Sequence, residues 1–116
     1  MDERLEKALE FSNYMTTLSN QKRILKERFI EDSFYYYKGC QFTVNRELIT
    51  FVNLLVEKDN ESVVLIDDNG IPISIDNTES FLQDLFDVYF SSSNEYLAEY
   101  NKLKTKRKVE ALVDYD

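Results

Sequence analysis

The sequence predicts an α+β fold in which helix, hairpin, helix, hairpin and helix follow one another along 116 residues. Three observations lead to this prediction. Long amphipathic stretches occupy both ends, two β-branched or aromatic runs each surround one of the two glycines, and no repeat or flexible linker separates them. The simplest packing is a small antiparallel sheet on helices, with long N- and C-terminal helices. The length fits a single domain over residues 1–116.

The first predicted helix covers residues 2–32 and carries an apolar seam with a period near 3.5 residues. Two interpretations of this seam stay open: it packs on the core of its own domain, or it is shared with another subunit or a partner helix. Under the second interpretation the candidate contact residues are Phe11, Met15, Leu18, Leu25 and Phe29.

A first hairpin is predicted over residues 33–44, although the aromatic run 34–37 could instead prolong the helix. Alternation on a strand places Tyr35 and Tyr37 on one face, opposite Tyr36 and Phe34. One of the two faces must be core, and we take Tyr35 and Tyr37 as candidate contact residues. Stacking on single-stranded nucleic acid is the alternative use of such rings, but no basic groove surrounds them.

The second helix is predicted over 46–58, with Asn45 as its N-cap. Apolar residues on nearly all its sides predict that it is the most buried element. A second hairpin follows over 63–75, in which Asn69-Gly70 suits a two-residue type I′ turn. Pro72 has no amide proton, so we expect it on an edge strand or at a strand start.

The third helix is predicted over 77–106 and opens with a capping box between Asp76 and Glu79. The serines at 91–93 predict either a close helix crossing or a kink where hydroxyls bond back to carbonyls. Tyr96 and Tyr100, on its broad apolar side, are further candidate contact residues. The tail 107–116 contains enough apolar residues that we expect it to dock.

Charge is unevenly distributed along the chain, which has 22 acidic and 14 basic residues and a formal charge of −8. A candidate basic patch gathers near the C-terminal end of the third helix; without residues 102–108 the rest of the chain carries −13. Two interpretations of the patch stay open: its cations complement the dipole at the C-terminal end of the helix, or they dock on an acidic or nucleic-acid surface. The overall balance disfavours nucleic acid and favours a basic partner. The patch consists of Lys102, Lys104, Lys106, Arg107 and Lys108.

The residue types needed for most catalytic and metal sites are missing. The chain has no histidine, a single cysteine and two isolated glycines, so we expect no cofactor, no metal site and no enzymatic activity. Residues 67–70 lack the alternating acids and the final glutamate of a calcium loop. Cys40 is predicted to be a small buried hydrophobe in a reducing compartment. With no signal peptide and no bilayer-spanning run, we expect a cytoplasmic protein without membrane contact.

Four parts of the sequence lie at 42–44, at 47–49 with 51–52, at 64–72 and at 94–100. Together they resemble small proteins encoded by contractile-tailed phages of marine cyanobacteria. The resemblance implies a protein made in bacterial cytoplasm that either belongs to the virion and its assembly or engages host machinery. It supplies no site residues.

Three functional hypotheses follow. The first is a non-catalytic protein-interaction protein, a phage structural or assembly component that contacts a protein partner or copies of itself. The second is an acidic regulator or nucleic-acid mimic that occupies a basic site on host machinery. The third is a carboxylate-based enzyme or divalent-metal protein.

Overall fold

A computed structural model describes the backbone of residues 2–115 and the side chains of residues 2–105. It confirms the α+β class and the order of the elements. The strands form two separate two-stranded antiparallel sheets, where the sequence predicted one small sheet. The elements are α1 (Glu3–Asp32), β1 (Phe34–Tyr37), β2 (Cys40–Thr43), α2 (Arg46–Glu57), β3 (Val63–Ile66), β4 (Pro72–Ile75) and α3 (Thr78–Tyr115).

The chain divides into two compact units. The helical unit comprises Met1–Arg28 and Glu95–Asp116, and the mixed unit comprises Phe29–Asn94. The mixed unit contains both hairpins, α2 and the first part of α3.

The core of the mixed unit lies between the inner faces of the hairpins and the first turns of α3. Phe81 is almost fully buried, and the rings of Tyr35, Tyr37 and Phe42 meet it edge-on with centroids 5.4–5.7 Å away. Such aromatic pairs contribute about 0.5–1.5 kcal/mol each beyond the area they bury. Phe81 therefore anchors the first hairpin to α3. Around it lie Val44, Val52, Leu65, Ile75, Leu82 and Leu85.

The first hairpin has a two-residue turn at Lys38-Gly39. Both residues have positive φ, 49° and 80°, as a type I′ turn requires. The register pairs Tyr37 with Cys40 across the turn, and a bond from Val44 N to Ser33 O extends the ladder by one pair. Residues 34–37 are thus a strand and not a prolongation of α1.

The second hairpin differs from its prediction. Asn69-Gly70 does not form a two-residue type I′ turn, because Ile66 pairs with Pro72 and five residues lie between the strands. Only Gly70 has positive φ there. Asp67 determines this loop: its Oδ1 accepts from Asn69 N at 2.9 Å and from Ile71 N at 2.7 Å. Pro72 begins β4, as expected.

The cap of α2 is confirmed, whereas the cap of α3 is not. Asn45 Oδ1 accepts from Leu48 N at 2.8 Å. At α3 the predicted capping box of Asp76 and Glu79 is wrong, because Asn77 Oδ1 accepts from Ser80 N at 3.0 Å. Asn77 is equally suited to cap, and Asp76 points instead to Lys38.

Two predictions about helix burial and helix length are corrected. In α2 only Val52 is buried, while Phe51 and Leu54 are exposed, so α2 is not the most buried element. The backbone of α3 continues to Tyr115 and does not end at residue 106. The predicted docking of the tail concerns side chains that lie outside the described residues.

Two of the three serines at 91–93 bond back to the helix backbone, which was one of the two predicted alternatives. Ser93 Oγ donates to Tyr89 O at 2.6 Å and Ser92 Oγ to the same carbonyl at 3.2 Å. Ser92 is buried, and its hydroxyl lies 3.5 Å from that of Ser33. The small side chains therefore also permit a close approach to the end of α1.

In the helical unit, segments of α1 and α3 face each other in antiparallel directions. Leu18 is buried and lines a small cavity with Leu103 and Lys104, while Lys22 Nζ lies 6.0 Å from the centroid of the Tyr100 ring. Leu25, further along α1, shares a groove with Glu99, closer to the start of α3. The apolar seam predicted in α1 thus packs on its own chain at least over this stretch.

Candidate protein-interaction surfaces

The outer face of the hairpins presents exposed apolar side chains. Successive strand residues alternate between faces, so Leu65 is buried while its neighbours Val64 and Ile66 point away from the core. Their exposed fractions are 67% and 69%, and that of Tyr36 in β1 is 62%. These are the three most exposed large apolar side chains among the residues whose side chains are described.

The register completes this surface on β4. Val64 lies opposite Ser74 and Ile66 opposite Pro72. Both strands of the second hairpin lack charged residues entirely. We call the surface formed by Tyr36, Val64, Ile66, Pro72 and Ser74 the hairpin face.

Asp68 joins the outer faces of the two hairpins. Its backbone N donates to Gln41 O at 2.9 Å, and its Oδ2 accepts from Gln41 Nε2 at 3.2 Å and from Thr43 Oγ1 at 2.6 Å. Gln41 is the cross-strand partner of Tyr36. The hairpin face is therefore connected through β2.

An acidic cleft of about 470 Å³ adjoins one end of the hairpin face. Asp59, Glu61, Asp76 and Glu79 line it, and its lining contains no basic residue. Asp76 follows Ser74 by two residues and so continues the same row of side chains. We call this concavity the acidic cleft.

The ammonium group of Lys38 lies at the edge of the acidic cleft. Its Nζ lies 3.0 Å from Asp76 Oδ2, and both side chains are mostly exposed. The hydrogen bond and the negative charge of Asp76 raise the pKa of the Lys38 ammonium group. Exposed ion pairs of this kind contribute little because water and salt screen them, so an incoming cation can replace Lys38 at little cost.

The excess of negative charge resides in the mixed unit. That unit contains twelve acidic and three basic residues, a formal charge of −9, whereas the helical unit has ten acidic and eleven basic residues. The hairpin face and the acidic cleft thus belong to the strongly negative part of the chain.

Cys40 and Asp67 lie together beneath the hairpins, and both are buried. Burial, followed by the charge of Asp67, raises the pKa of the Cys40 thiol, which favours its protonated and unreactive form. Asp67 Oδ2 accepts no hydrogen bond of normal geometry from the described residues. The prediction that Cys40 is a small buried residue is confirmed.

Tyr35 and Tyr37 are not the exposed members of the aromatic cluster. Both rings pack on Phe81, and the exposed ring is that of Tyr36. Tyr35 Oη donates to Asp84 Oδ2 at 2.7 Å. Burial, and then the hydrogen bond to Asp84, raise the pKa of the Tyr35 phenol well above its ordinary value. The alternation of faces was predicted correctly, but the choice of the outer face was not.

The candidate residues on α1 have mixed exposure. Phe11 and Met15 are exposed beside a shallow concavity that also contains Ser12 and Ser19, while Leu18 is buried. Leu25 and Phe29 are half-buried. Only the N-terminal part of the predicted seam therefore offers accessible apolar side chains.

The candidate residues on α3 include one ring pair and a basic patch that is partly described. Tyr96 is half-buried with its ring centroid 6.4 Å from that of the more exposed Tyr100. Lys102 and Lys104 are exposed, and Lys102 pairs with Glu99 at 3.1 Å. The side chains of the other patch members, Lys106, Arg107 and Lys108, lie outside the described residues.

No protein-family model, curated protein or solved structure matches the chain. Within the described part of the chain, no helix has the length and hydropathy needed to cross a bilayer. The described side chains also include no group of three or more acidic or cysteine residues placed to hold a metal ion.

Proposed function

We propose that this chain is a non-catalytic protein-interaction protein that binds a protein partner through the hairpin face. The observation that carries the proposal is the position of the three most exposed large apolar side chains within residues 2–105. Tyr36, Val64 and Ile66 lie on the outward strand faces of the two hairpins, which Asp68 joins. Contiguous exposed apolar side chains of this kind are typical of interaction sites.

Burial of the hairpin face supplies part of the free energy that specific binding requires. Complete burial of a large apolar side chain contributes about 1.5–3 kcal/mol, and each of the three has about two-thirds of its surface left to bury. Their burial would therefore contribute roughly 3–6 kcal/mol before the entropy of association is deducted. Tyr36 adds a rigid ring with a polar end, a side chain favoured at interfaces.

The resemblance to proteins of contractile-tailed phages supports a more specific role for the same surface. We propose that the chain is a structural or assembly component, which would require durable contacts with another protein. The basis of this assignment is the sequence resemblance alone.

A crosslinking experiment tests the interaction. The photoreactive residue p-benzoylphenylalanine replaces Tyr36 in one protein and Thr50, exposed on α2, in a control protein. We expect light-dependent capture of one defined protein from a lysate of the source organism at position 36 and none at position 50. The substitution Ile66→Thr in the first protein should abolish capture. Equal capture at both positions, or capture unaffected by Ile66→Thr, would refute a role for the hairpin face.

A second candidate function is an acidic regulator that occupies a basic site on another protein. The formal charge of −9 on the mixed unit and the four carboxylates around one cleft favour it. If such a regulator mimics nucleic acid, DNA should compete with it for the captured protein. Binding that neither weakens between 50 and 500 mM NaCl nor responds to competing DNA would reject this candidate, because exposed charges are screened by salt.

A further inference from the structure

We propose that the hairpin face and the acidic cleft form one continuous docking surface for an extended segment of a basic protein, with apolar residues at one end of that segment and Lys or Arg at the other. This inference rests on the proposed interaction function and specifies the chemistry of the partner. The proposed surface extends from Val64 and Ile66 on β3 to the carboxylates at the end of the second hairpin, where residues 62 and 76 lie opposite each other.

The spacing of the exposed side chains fits an extended partner. Val64 and Ile66 are two residues apart on one strand, a separation of about 6.6–6.8 Å, and alternate residues of another extended chain have the same separation. Two residues before Val64 along the chain, residue 62 lies opposite Asp76 if the register continues. Asp76 lines the acidic cleft, so the cleft begins at this position. A segment with apolar residues at two alternate positions and basic residues at the next two would match this order.

The backbone of β4 also has free hydrogen-bonding groups for an extended partner. Asp67 N donates to Ile71 O, which gives 67 and 71 the hydrogen-bonding position in the ladder, although Ile71 N donates to Asp67 Oδ1. Pairs alternate along an antiparallel ladder, so the Ser74–Val64 pair is non-hydrogen-bonded and the N–H and C=O of Ser74 point away from β3. None of the backbone hydrogen bonds that the described residues form outside their helices and strands involves Ser74. An added strand beside β4 would receive two bonds from the N–H and C=O of Ser74, and its outward side chains would extend the Ile66–Pro72 and Val64–Ser74 rows of the hairpin face.

Charge decides between a basic partner and a second copy of this chain. Two mixed units with −9 each would repel when their hairpin faces meet, whereas a cationic segment is attracted to the same surface. The acidic cleft has four carboxylates and no basic residue in its lining. The observations therefore favour a basic protein segment as the occupant.

Three synthetic peptides test the partner chemistry. The first is fluorescein-labelled Val-Thr-Val-Thr-Lys-Thr-Lys; the second replaces both lysines by glutamate; the third replaces both valines by serine. Fluorescence anisotropy is measured against the full chain at 50 and 300 mM NaCl. We expect saturable binding of the first peptide alone, at least fivefold weaker at the higher salt concentration.

Two matched double variants locate the charge effect. Glu61→Gln with Glu79→Gln removes two charges from the acidic cleft, and Glu31→Gln with Glu47→Gln removes two exposed charges outside it. The cleft variant should weaken binding of the first peptide about threefold to tenfold, and the control less than twofold. Circular dichroism verifies that both variants are folded.

Three outcomes would overturn the inference. They are equal binding of the glutamate peptide, no saturable binding of the lysine peptide, and equal losses in the two double variants. Self-association in light scattering that Ile66→Thr abolishes would also overturn it, because the occupant would then be a second copy. In each case crosslinking from position 36 decides separately whether the proposed function stands.

Discussion

Leu65 and Ile66 are neighbours on β3, and the same substitution at each should have opposite consequences. Leu65 is 7% exposed and belongs to the core, whereas Ile66 is 69% exposed on the hairpin face. Leu65→Thr removes a buried apolar side chain and places a hydroxyl in the core. Ile66→Thr retains a β-branched residue suited to a strand and changes a side chain that is mostly in solvent.

The magnitudes follow from burial. Full burial of a leucine side chain contributes about 1.5–3 kcal/mol, and a buried hydroxyl without a partner costs about 1–3 kcal/mol more, so Leu65→Thr should destabilise by about 2.5–6 kcal/mol. For Ile66 only about a third of the side chain is removed from water, and the cost should be about 0.5 kcal/mol or less. In a chain of this length about 1 kcal/mol shifts Tm by roughly 4 °C.

The assay is urea denaturation followed by far-UV circular dichroism, since the chain has no tryptophan. Leu65→Thr should lower the urea midpoint strongly, and Ile66→Thr should leave it nearly unchanged while abolishing capture from position 36. If both substitutions destabilise equally, the assignment of the two faces of β3 is wrong. If Ile66→Thr leaves both stability and capture intact, the hairpin face is not a binding surface.

Four further substitutions test the interactions that support the hairpin face. Phe81→Leu should cost about 2 kcal/mol in urea denaturation, because it removes the ring that three other aromatic rings meet edge-on; a cost below about 0.5 kcal/mol would contradict that role. Asp67→Ala should cost about 2–3 kcal/mol and Asp67→Asn less than half as much, since the amide oxygen can still accept the two backbone bonds; equal costs would refute this account of the loop. Stability should fall as pH rises above about 10, where an unfolded tyrosine loses its proton while Tyr35, held by Asp84, keeps it; Tyr35→Phe should reduce this slope, and an unchanged slope would show that Tyr35 is not its source. Gly39→Ala should destabilise by about 1–2 kcal/mol, because alanine is strained in the left-handed backbone conformation of Gly39. The new methyl group would meet open space, so a steric clash would not contribute, and a neutral result would contradict the positive φ.

The helices could be predicted from sequence because their signals are local. The apolar period and the polar ends placed α1 and α2 within a residue of their observed bounds. The start of α3 was predicted one residue early, since Asp76 and Asn77 are both good N-caps and tertiary contacts distinguish them: Asp76 pairs with Lys38, and Thr78 N donates to Glu61 O. Local rules cannot include a contact to a residue 38 positions away.

The turns show where a dipeptide rule fails. Asn69-Gly70 has the composition of a type I′ turn, yet Lys38-Gly39 adopts the two positive φ angles. The buried carboxylate of Asp67 accepts two amide bonds and thereby closes a longer loop. An aspartate two residues before Asn69 is a signal for such a side-chain turn, and it could have been weighed against the dipeptide.

The hairpin face could not be predicted, because all four residues of β3 are apolar. A run such as Val63–Ile66 shows no alternation from which an inner and an outer face can be read. The faces are assigned only by tertiary packing: Leu65 joins the core beside α3, which leaves Val64 and Ile66 outside. The same holds for the tyrosines, where contact with Phe81 turns Tyr35 and Tyr37 inward.

Charge and apolar surface have to be considered together in the mixed unit. A small antiparallel sheet packed on one side normally has polar residues on its solvated face, because exposed apolar side chains there invite association with other chains. Here the second hairpin has no charged residue in either strand, and acidic residues instead border it at Asp68, Asp76 and the rest of the acidic cleft. With −9 on the unit, copies repel one another before their apolar rows can meet. A partner with basic residues beside its apolar ones has no such barrier, so the same charge that disfavours self-association favours that partner.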